Sequence, residues 1–141
     1  MMNDNIKSVL RFEHYIVKKV VYEYNLDCEE TEDGVKIDFD IDAHFEVDED
    51  KKEMFTFLEL VVFDNPVENN YPFKLELELV GVFSVRMGEE DDINSYKANA
   101  LAILFPYARA LVSSYTANSN ITPLILPTIN INKFLADKEN E

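Results

Sequence analysis

The sequence predicts an α+β fold in which a four-stranded antiparallel meander sheet packs against one long C-terminal helix, with a short terminal helix after it. Four stretches alternate apolar and polar residues with the period of two that is typical of strands. One later stretch repeats apolar residues at three- and four-residue steps, the period of a helix. The chain has 141 residues, 47% of them hydrophobic, so it is long enough to bury a core. We therefore predict a single domain over residues 1–141.

The predicted strands cover about residues 11–25, 35–48, 53–64 and 73–86. The alternation is clearest in VKIDFDIDAHFEV and FKLELELVGVFSV, where one face is apolar and the other is acidic. EMFTFLELVVFDN is apolar on both parities, which indicates a strand covered on both faces. The intervening segments are acidic, Asn-rich or punctuated by Gly and Pro, and these favour hairpin connections and hence a meander. Gly81 interrupts the last strand, which indicates a bulge or close packing against the helix.

The long helix is predicted over about residues 92–118. GEEDD places carboxylates where they can cap and complement its N-terminus. Pro106 lies inside it, in the segment ILFPYAR, at a cost of roughly 3 kcal/mol for a helix interior. We expect Pro106, Tyr107 and Arg109 to be structural, through a kink, packing, and an ion pair or capping contact. The two prolines of ITPLILPTINI forbid a helix, and a short helix is predicted over about residues 131–137.

The net charge of the chain limits its possible binding partners. The 28 acidic and 13 basic residues give a net charge of −15, so a nucleic-acid backbone or an anionic membrane surface would repel the chain. Residues 27–53 alone carry 13 acidic residues and 3 lysines, which favours a solvated edge of the sheet. We expect neither nucleic-acid binding nor membrane insertion. With one cysteine and no signal-peptide pattern, the expected location is the cytoplasm.

A catalytic cysteine is disfavoured. Cys28 has only His14 and His44 as possible bases, and it lies in an acidic loop whose carboxylates oppose a thiolate. No phosphate-binding, nucleophile-elbow or metalloprotease motif is present in the sequence. The sequence therefore predicts no enzyme and no cofactor.

A metal site on the second strand is geometrically conceivable but disfavoured. Its candidate ligands share one face of that strand: Asp40, Asp42, His44 and Glu46. Successive side chains on such a face are about 7 Å apart, too far to converge on one ion without a neighbouring strand. We predict a hydrated polar face and no metal.

One segment of the sequence resembles a known family. Residues 103–109 read ILFPYAR, and Leu124, Leu126, Pro127 and Asn130 follow in an L-x-L-P-x-x-N pattern. Together with VGVFSV at residues 80–85, these motifs resemble the bacterial protein-export chaperone SecB. Over the first 70 residues the likeness is one of strand pattern only.

The resemblance implies an ATP-independent holdase that keeps unfolded or precursor polypeptides from aggregating. It also implies a homo-oligomer, a dimer of dimers joined through helices and sheet edges. By position, the residues implied to contact clients are Tyr71, Phe73, Leu124, Leu126 and Phe134, and plain core packing is the alternative for each.

The family also implies docking of the SecA motor on acidic residues of the outer sheet face. Glu23 and Glu76 fall on matching positions, with an ordinary solvated strand glutamate as the alternative. Lys19 stands where the family commonly has an acidic residue, and the 26–35 loop is short and acidic, so motor binding stays open.

Two other functions remain open at this stage. A SecB-like chaperone can serve one dedicated client, such as an antitoxin. A small-molecule binding domain, which belongs to a different functional class, would instead need a closed polar pocket containing His14 or His44.

Overall fold

The computed structural model describes residues 9–86 and 92–140. Four strands form one sheet: β1 (Leu10–Tyr24), β2 (Phe39–Asp48), β3 (Glu53–Val62) and β4 (Phe73–Val85). The helices are α1 (Pro66–Asn69), α2 (Lys97–Asn118) and α3 (Ile131–Glu139), and a 3-10 turn, Ile93–Tyr96, leads into α2. The α+β class, the four-stranded antiparallel sheet, the long helix and the short terminal helix are confirmed. The short helix α1 was not predicted.

The order of strands in the sheet is β1-β4-β3-β2, with all neighbours antiparallel. The predicted meander therefore holds for β2, β3 and β4, but its extension to β1 is wrong. The segment after β1 crosses the end of the sheet instead of forming a hairpin. Asn25 holds the start of this crossing, since its N–H donates to the carbonyl of Pro72 at 2.8 Å and its Nδ2 to that of Tyr71 at 3.0 Å. The result is a Greek-key arrangement with β1 and β2 at opposite edges.

The hydrophobic core lies between the sheet and α2. Every second residue of β4 from Phe73 to Val85 is buried, as its alternation predicts. The α2 residues on this core are Ala100, Leu101, Leu104, Phe105, Ala108 and Val112. We call the sheet face that packs on α2 the inner face and the opposite one the outer face.

Gly81 allows α2 to approach the sheet closely. A Cβ atom at this position would lie 2.8 Å from the Phe83 ring and 3.2 Å from the Leu104 side chain. β4 pairs with β3 without irregularity, and its register with β1 shifts only on the β1 strand, between Phe12 and His14 and between Val17 and Lys19, so no bulge lies at Gly81 itself. Of the two predicted explanations, close packing against the helix is therefore the one observed.

One of the predicted acidic caps is found at the 3-10 turn that leads into α2, whereas Tyr96, at the start of α2 itself, makes no side-chain cap. The Oδ1 atom of Asp92 accepts a hydrogen bond from the N–H of Asn94 at 3.0 Å. This bond holds the pKa of Asp92 below its usual value. The other residues of GEEDD, 88–91, lie outside the described part of the chain.

The ILFPYAR segment continues the helix. α2 runs through Pro106 without interruption, and Pro106 is exposed to solvent, where the carbonyl left without a donor can bind water. Tyr107 packs against β1, with its ring centroid 4.9 Å from that of Tyr15 and 5.4 Å from that of Phe12. The expected packing role of Tyr107 is thus observed, in a contact that joins α2 to the edge strand.

Three side chains of α2 hold the extended segment 121–130 against the helix. Arg109 Nε donates to the carbonyl of Leu126 at 2.9 Å, and Ser113 Oγ donates to that of Leu124 at 2.7 Å. Thr116 Oγ1 accepts from the N–H of Leu124 at 2.9 Å. The contact of Arg109 is thus a hydrogen bond to a distant backbone carbonyl. The segment runs back along α2, and α3 follows at its end.

Thr116→Val is expected to lower the free energy of unfolding by about 1–3 kcal/mol, because the N–H of Leu124 loses its acceptor inside the fold. Urea denaturation measures the change. Thr128→Val is the matched control, since Thr128 is exposed and its change should stay within about 0.5 kcal/mol. Equal effects of the two substitutions would contradict this role of Thr116.

Candidate functional site

An open groove of about 530 Å³ lies between β2, the start of α2 and α3. The α3 helix packs beside the N-terminal part of α2, which brings it next to the edge strand β2. The groove is lined by Ala43, His44, Phe45, Asn94, Ser95, Lys97, Ala98, Leu135, Lys138 and Glu139. Three separate parts of the chain therefore build one concave surface.

The apolar walls of this groove come from all three parts. Phe45 projects from the inner face of β2, Ala98 from the first turn of α2, and Leu135 from α3. Phe45 and Leu135 are half-buried, so each keeps surface that a ligand can cover. Lys97 Nζ lies 5.6 Å from the centroid of the Phe45 ring, a cation–π contact at the end of the groove.

An ion pair joins α3 to the strand across the groove. Lys138 Nζ of α3 contacts Asp42 Oδ1 of β2, and the same carboxylate oxygen accepts a hydrogen bond from the N–H of Ala43 at 2.9 Å. Lys138 holds the pKa of Asp42 below its usual value. None of the α3 residues is fully buried. Surface pairs are individually weak, so this pair adds modestly to the packing of Ile131, Phe134 and Leu135 of α3 against the core.

Asp42→Asn is expected to increase hydrogen exchange of the α3 amides about two- to fivefold at neutral pH, because the ion pair is lost. Lys138→Met should have the same effect, and the double variant should add nothing further. Asp40→Asn is the control, because Asp40 is exposed on the same strand and face. If Asp40→Asn loosens α3 equally, the pair does not hold the helix.

The same contact predicts a pH dependence. Because the folded-state pKa of Asp42 is lowered, its contribution is fully present above the usual carboxyl pKa. It is lost as the pH falls through the lowered value. The α3 exchange rates of the wild-type and Asp42→Asn proteins should differ at neutral pH and converge in acid.

Two of the five predicted client-contacting residues lie at the other end of the sheet. The ring of Phe73 is buried, 5.1 Å from Phe63 and 5.4 Å from Tyr22. Tyr71 is half-buried, and its hydroxyl donates to Asp38 Oδ2 at 2.9 Å, a bond that raises the pKa of the tyrosine. Neither residue lines the groove.

The other three lie on the segments that follow α2. Leu126 is fully buried, whereas Leu124 and Phe134 are half-buried. Phe134 is next to Leu135, which does line the groove. Burial leaves Phe73 and Leu126 in the core, and only the half-buried residues present surface to a client without rearrangement.

The sequence prediction missed the groove itself. Phe45 could have been found, because the alternation of the second strand places it on the apolar face. No comparable sequence pattern indicates that Lys97, Ala98 and Leu135 line a groove, because nothing local in the sequence shows which strand edge the terminal helix will approach.

The predicted motor-facing glutamates lie on the outer face. Glu76 contacts two cations, Lys74 at 3.1 Å and Lys19 at 3.2 Å, and these hydrogen bonds hold its pKa below the usual value. Glu23 pairs in register with Lys74 across β1 and β4. Lys19 and Lys74 thus reduce the negative charge at this end of the face.

The residues considered for chemistry are separated. His44 stacks on Phe57 with ring centroids 4.3 Å apart, and His14 pairs in register with Val82 on the outer face. Cys28 Sγ contacts the carbonyl of Asn70 at 3.5 Å, in the loop before β4. Within residues 9–86 and 92–140, no group of three or more His, Cys, Asp or Glu side chains could hold a metal ion.

No helix in the described ranges is both long and apolar enough to cross a membrane.

The architecture defines a class of protein: a helix-backed antiparallel sheet with an open, partly apolar groove at one edge. The family model "Preprotein translocase subunit SecB" matches residues 4–141. The chain belongs to the SecB family.

Proteins similar in sequence include the following two. An uncharacterized protein of Methanocaldococcus jannaschii is 33% identical over 135 residues, covering 94% of this chain and 86% of its own length. The protein-export protein SecB of Neorickettsia sennetsu is 28% identical over 79 residues, covering 55% of this chain and 48% of its own length.

The solved structures that share the fold include the following two. One is a SecB-like chaperone of Mycobacterium tuberculosis in complex with a ChAD peptide from the HigA1 antitoxin. It has a TM-score of 0.69 at 15% identity and covers 86% of this chain and 90% of the other. The second is a Streptococcus agalactiae protein of unknown function, with a TM-score of 0.51 at 17% identity, covering 84% and 97%.

Proposed function

We propose that this protein is an ATP-independent holdase that binds unfolded polypeptides, for protein export, in the groove between β2, α2 and α3. The observation that carries the proposal is this open groove with apolar walls in a chain of the SecB family. An open groove accepts a polypeptide passing through it, whereas a closed pocket accepts only an end or a small molecule. We place the function in the cytoplasm.

Holding requires no chemistry from the protein. Apolar side chains of an unfolded client gain by leaving water for Phe45, Ala98 and Leu135. Bound segments are then withdrawn from association with other unfolded chains. Release follows from the reversibility of the contacts, so the proposal invokes no nucleotide and no cofactor.

The test is suppression of aggregation when a chemically unfolded protein is diluted from denaturant without ATP. The protein should suppress light scattering at an equimolar or lower ratio of oligomer to client. Scattering that is unchanged at severalfold excess would overturn the holdase function.

A dedicated client is a second candidate. The solved M. tuberculosis SecB-like chaperone is in complex with a peptide from an antitoxin, and this chain shares its fold. Affinity purification from the native cells separates the two candidates. One stoichiometric partner would favour a dedicated chaperone, and many partners at low occupancy would favour a general one.

The small-molecule alternative has less support. It requires a closed polar pocket around His14 or His44. His44 lies at the margin of the open groove and stacks on Phe57, and His14 lies on the exposed outer face.

We also propose a dimer of dimers in which β1 forms one of the contacts. This strand has 15 residues at the edge of the sheet, and an unpaired edge is a template for another strand. Exposed apolar side chains lie on it, including Ile16 at 50%, Val21 at 42% and Val17 at 37%. Tyr107 of α2, also exposed, adds to this surface.

Val17→Lys combined with Val21→Lys is expected to reduce the mass of the assembly, because a two-fold contact would bring the added charges together. Native mass spectrometry measures the mass, and Asp40→Lys, an equal change of charge at an exposed position of the opposite edge strand β2, is the control. An unchanged assembly in the β1 variant, or a monomeric wild type at tens of micromolar, would contradict this contact.

Docking of SecA at Glu23 and Glu76 remains a proposal. Because Lys19 pairs with Glu76, Lys19→Glu should strengthen binding of SecA in a titration, and Glu76→Lys should abolish it. If neither the wild type nor Lys19→Glu binds SecA, the proposed docking of SecA is contradicted. The proposed holdase function is not affected by that result.

The residues implied by the family resemblance extend the proposed client surface beyond the groove. Leu124 and Phe134 offer half-buried apolar surface beside α3, and Tyr71 does so at the far end of the sheet. Phe73 and Leu126 can contact a client only if the segments above them move, since both are buried.

A further inference from the structure

The edge of the sheet formed by β2 borders the groove directly. β2 is the last strand in the order β1-β4-β3-β2, so within residues 9–86 and 92–140 its one partner strand is β3. An edge strand presents unpaired N–H and C=O groups on its free side. The groove wall therefore includes backbone as well as apolar side chains.

One hydrogen bond shows which residues face that free side. The N–H of Ala43 donates to Asp42 Oδ1 at 2.9 Å instead of to a neighbouring strand. In an antiparallel pair, alternate residues direct both backbone groups away from their partner strand. Ile41, Ala43 and Phe45 therefore share this outward direction, and two of the three line the groove.

The Asp42 carboxylate blocks the centre of the free edge of β2. It takes the amide donor that an incoming strand would use, and Lys138 of α3 binds the same oxygen. The carboxylate thus joins the strand edge to the helix that forms the opposite wall. Opening the edge breaks the Ala43 bond and loosening α3 breaks the Lys138 bond, and both bonds are made to this one oxygen.

We propose that β2 is a strand-addition site for extended polypeptide, held closed by the Asp42–Lys138 clasp until a client displaces it. The occupant is a client segment in extended conformation, so this inference rests on the proposed function. Its backbone pairs with Ile41, Ala43 and Phe45, and its alternate side chains enter the apolar groove.

Strand addition explains how one groove accepts many sequences. Backbone donors and acceptors are the same in every unfolded chain, whereas side-chain pockets select. Phe45 and Leu135 then require only that alternate residues be apolar. A second copy of this chain is a less suitable occupant, since β2 is bordered by the exposed carboxylates Asp40 and Glu46 and would meet the same charges.

Hydrogen exchange tests the site. The probe is a reduced, carboxamidomethylated protein, which stays unfolded in native buffer. Its binding should protect the amides of Ile41, Ala43 and Phe45, and leave those at the free edge of β1 less changed. Client binding without protection of these β2 amides overturns strand addition.

A peptide pair tests the role of the client backbone. An apolar segment from the unfolded protein, chosen for measurable affinity, is compared with the same segment methylated at alternate amide nitrogens. Methylation removes donors while keeping side chains, so affinity should fall at least about tenfold for one of the two methylation registers. Equal affinity in both registers would contradict backbone pairing.

Substitutions test the clasp. Asp42→Ala frees the Ala43 amide and releases Lys138, so peptide affinity should rise about two- to tenfold. Lys138→Met, which keeps the carboxylate on the amide, should raise it less, and Asp40→Ala should leave it unchanged. Unchanged or lower affinity in Asp42→Ala would overturn the clasp.

The outcomes distinguish this inference from the proposed function. Suppression of aggregation with no protection of β2 leaves a holdase that binds by side chains alone. A protein that neither binds the unfolded probe nor suppresses aggregation contradicts the holdase function itself.

Discussion

Gly81→Ala is expected to lower the free energy of unfolding by about 1–3 kcal/mol, although an alanine in a strand would ordinarily be neutral or stabilising. The added methyl group would lie 2.8 Å from the Phe83 ring and 3.2 Å from Leu104, closer than unstrained carbon contacts allow. Leu104 is fully buried, so it has no solvent-filled space into which it can move. Either α2 must shift away from the sheet or side chains must leave their preferred rotamers.

A double-mutant cycle shows whether the destabilisation comes from the contact between residues 81 and 104 or from a general intolerance of β4 to substitution. Leu104→Ala alone should cost about 2–5 kcal/mol, because it leaves a cavity. In the double variant the new methyl group partly fills that cavity, so the combined cost should be at least about 0.5 kcal/mol below the sum. Urea denaturation gives all three values. Strict additivity would show that Gly81 does not set the distance between helix and sheet.

Leu135→Asp is expected to weaken binding of an unfolded client about ten- to a hundredfold. Leu135 is the apolar residue that α3 contributes to the groove, and covering a leucine side chain stabilises a complex by about 1.5–3 kcal/mol. The carboxylate also has to lose water beside Glu139, a group of the same charge. Fluorescence anisotropy of a labelled, permanently unfolded protein measures the affinity.

The folded state should tolerate this substitution, since α3 has no fully buried residue. Val67→Asp is the matched control: Val67 is 73% exposed on α1, outside the groove, and its variant should bind normally. Loss of binding in both variants would indicate a nonspecific effect of charge. Normal binding in both would show that the client lies elsewhere.

Most of the fold could be predicted because its signals are local. The alternation of β4 persists through Gly81, and every predicted inward residue of that strand is buried. The position of β1 could not be predicted, because period-2 patterns identify strands but not their neighbours. The crossing after β1 depends on Asn25 bonding to the loop before β4, a contact between residues more than 40 positions apart.

The second strand begins later than predicted, and the reason lies on its neighbour. Val35 and Ile37 continue the alternation, but both are 42% exposed and lie outside β2. The pairing ends at Phe39 and Val62, because Phe63 adopts a positive φ of 57° and turns the chain away. Sequence alternation therefore continues where no partner strand remains.

The candidate site was less predictable than the fold. The family resemblance indicated apolar positions near α3, and Phe134 is adjacent to the groove residue Leu135. It could not indicate the Asp42–Lys138 contact, whose partners are separated by 96 positions. Such a contact depends on how α3 returns to the sheet edge, which no periodicity in the sequence encodes.

The central claim is that unfolded polypeptide occupies the groove between β2, α2 and α3. A fluorescent thiol probe tests it, because Cys28→Ser leaves a chain without cysteine to which Ala98→Cys or Val67→Cys can be added. With saturating unfolded client, the emission of a probe at residue 98 should shift to shorter wavelength, and that of a probe at residue 67 should not change. A change at residue 67 alone, or at neither position while the client is bound, would contradict the claim.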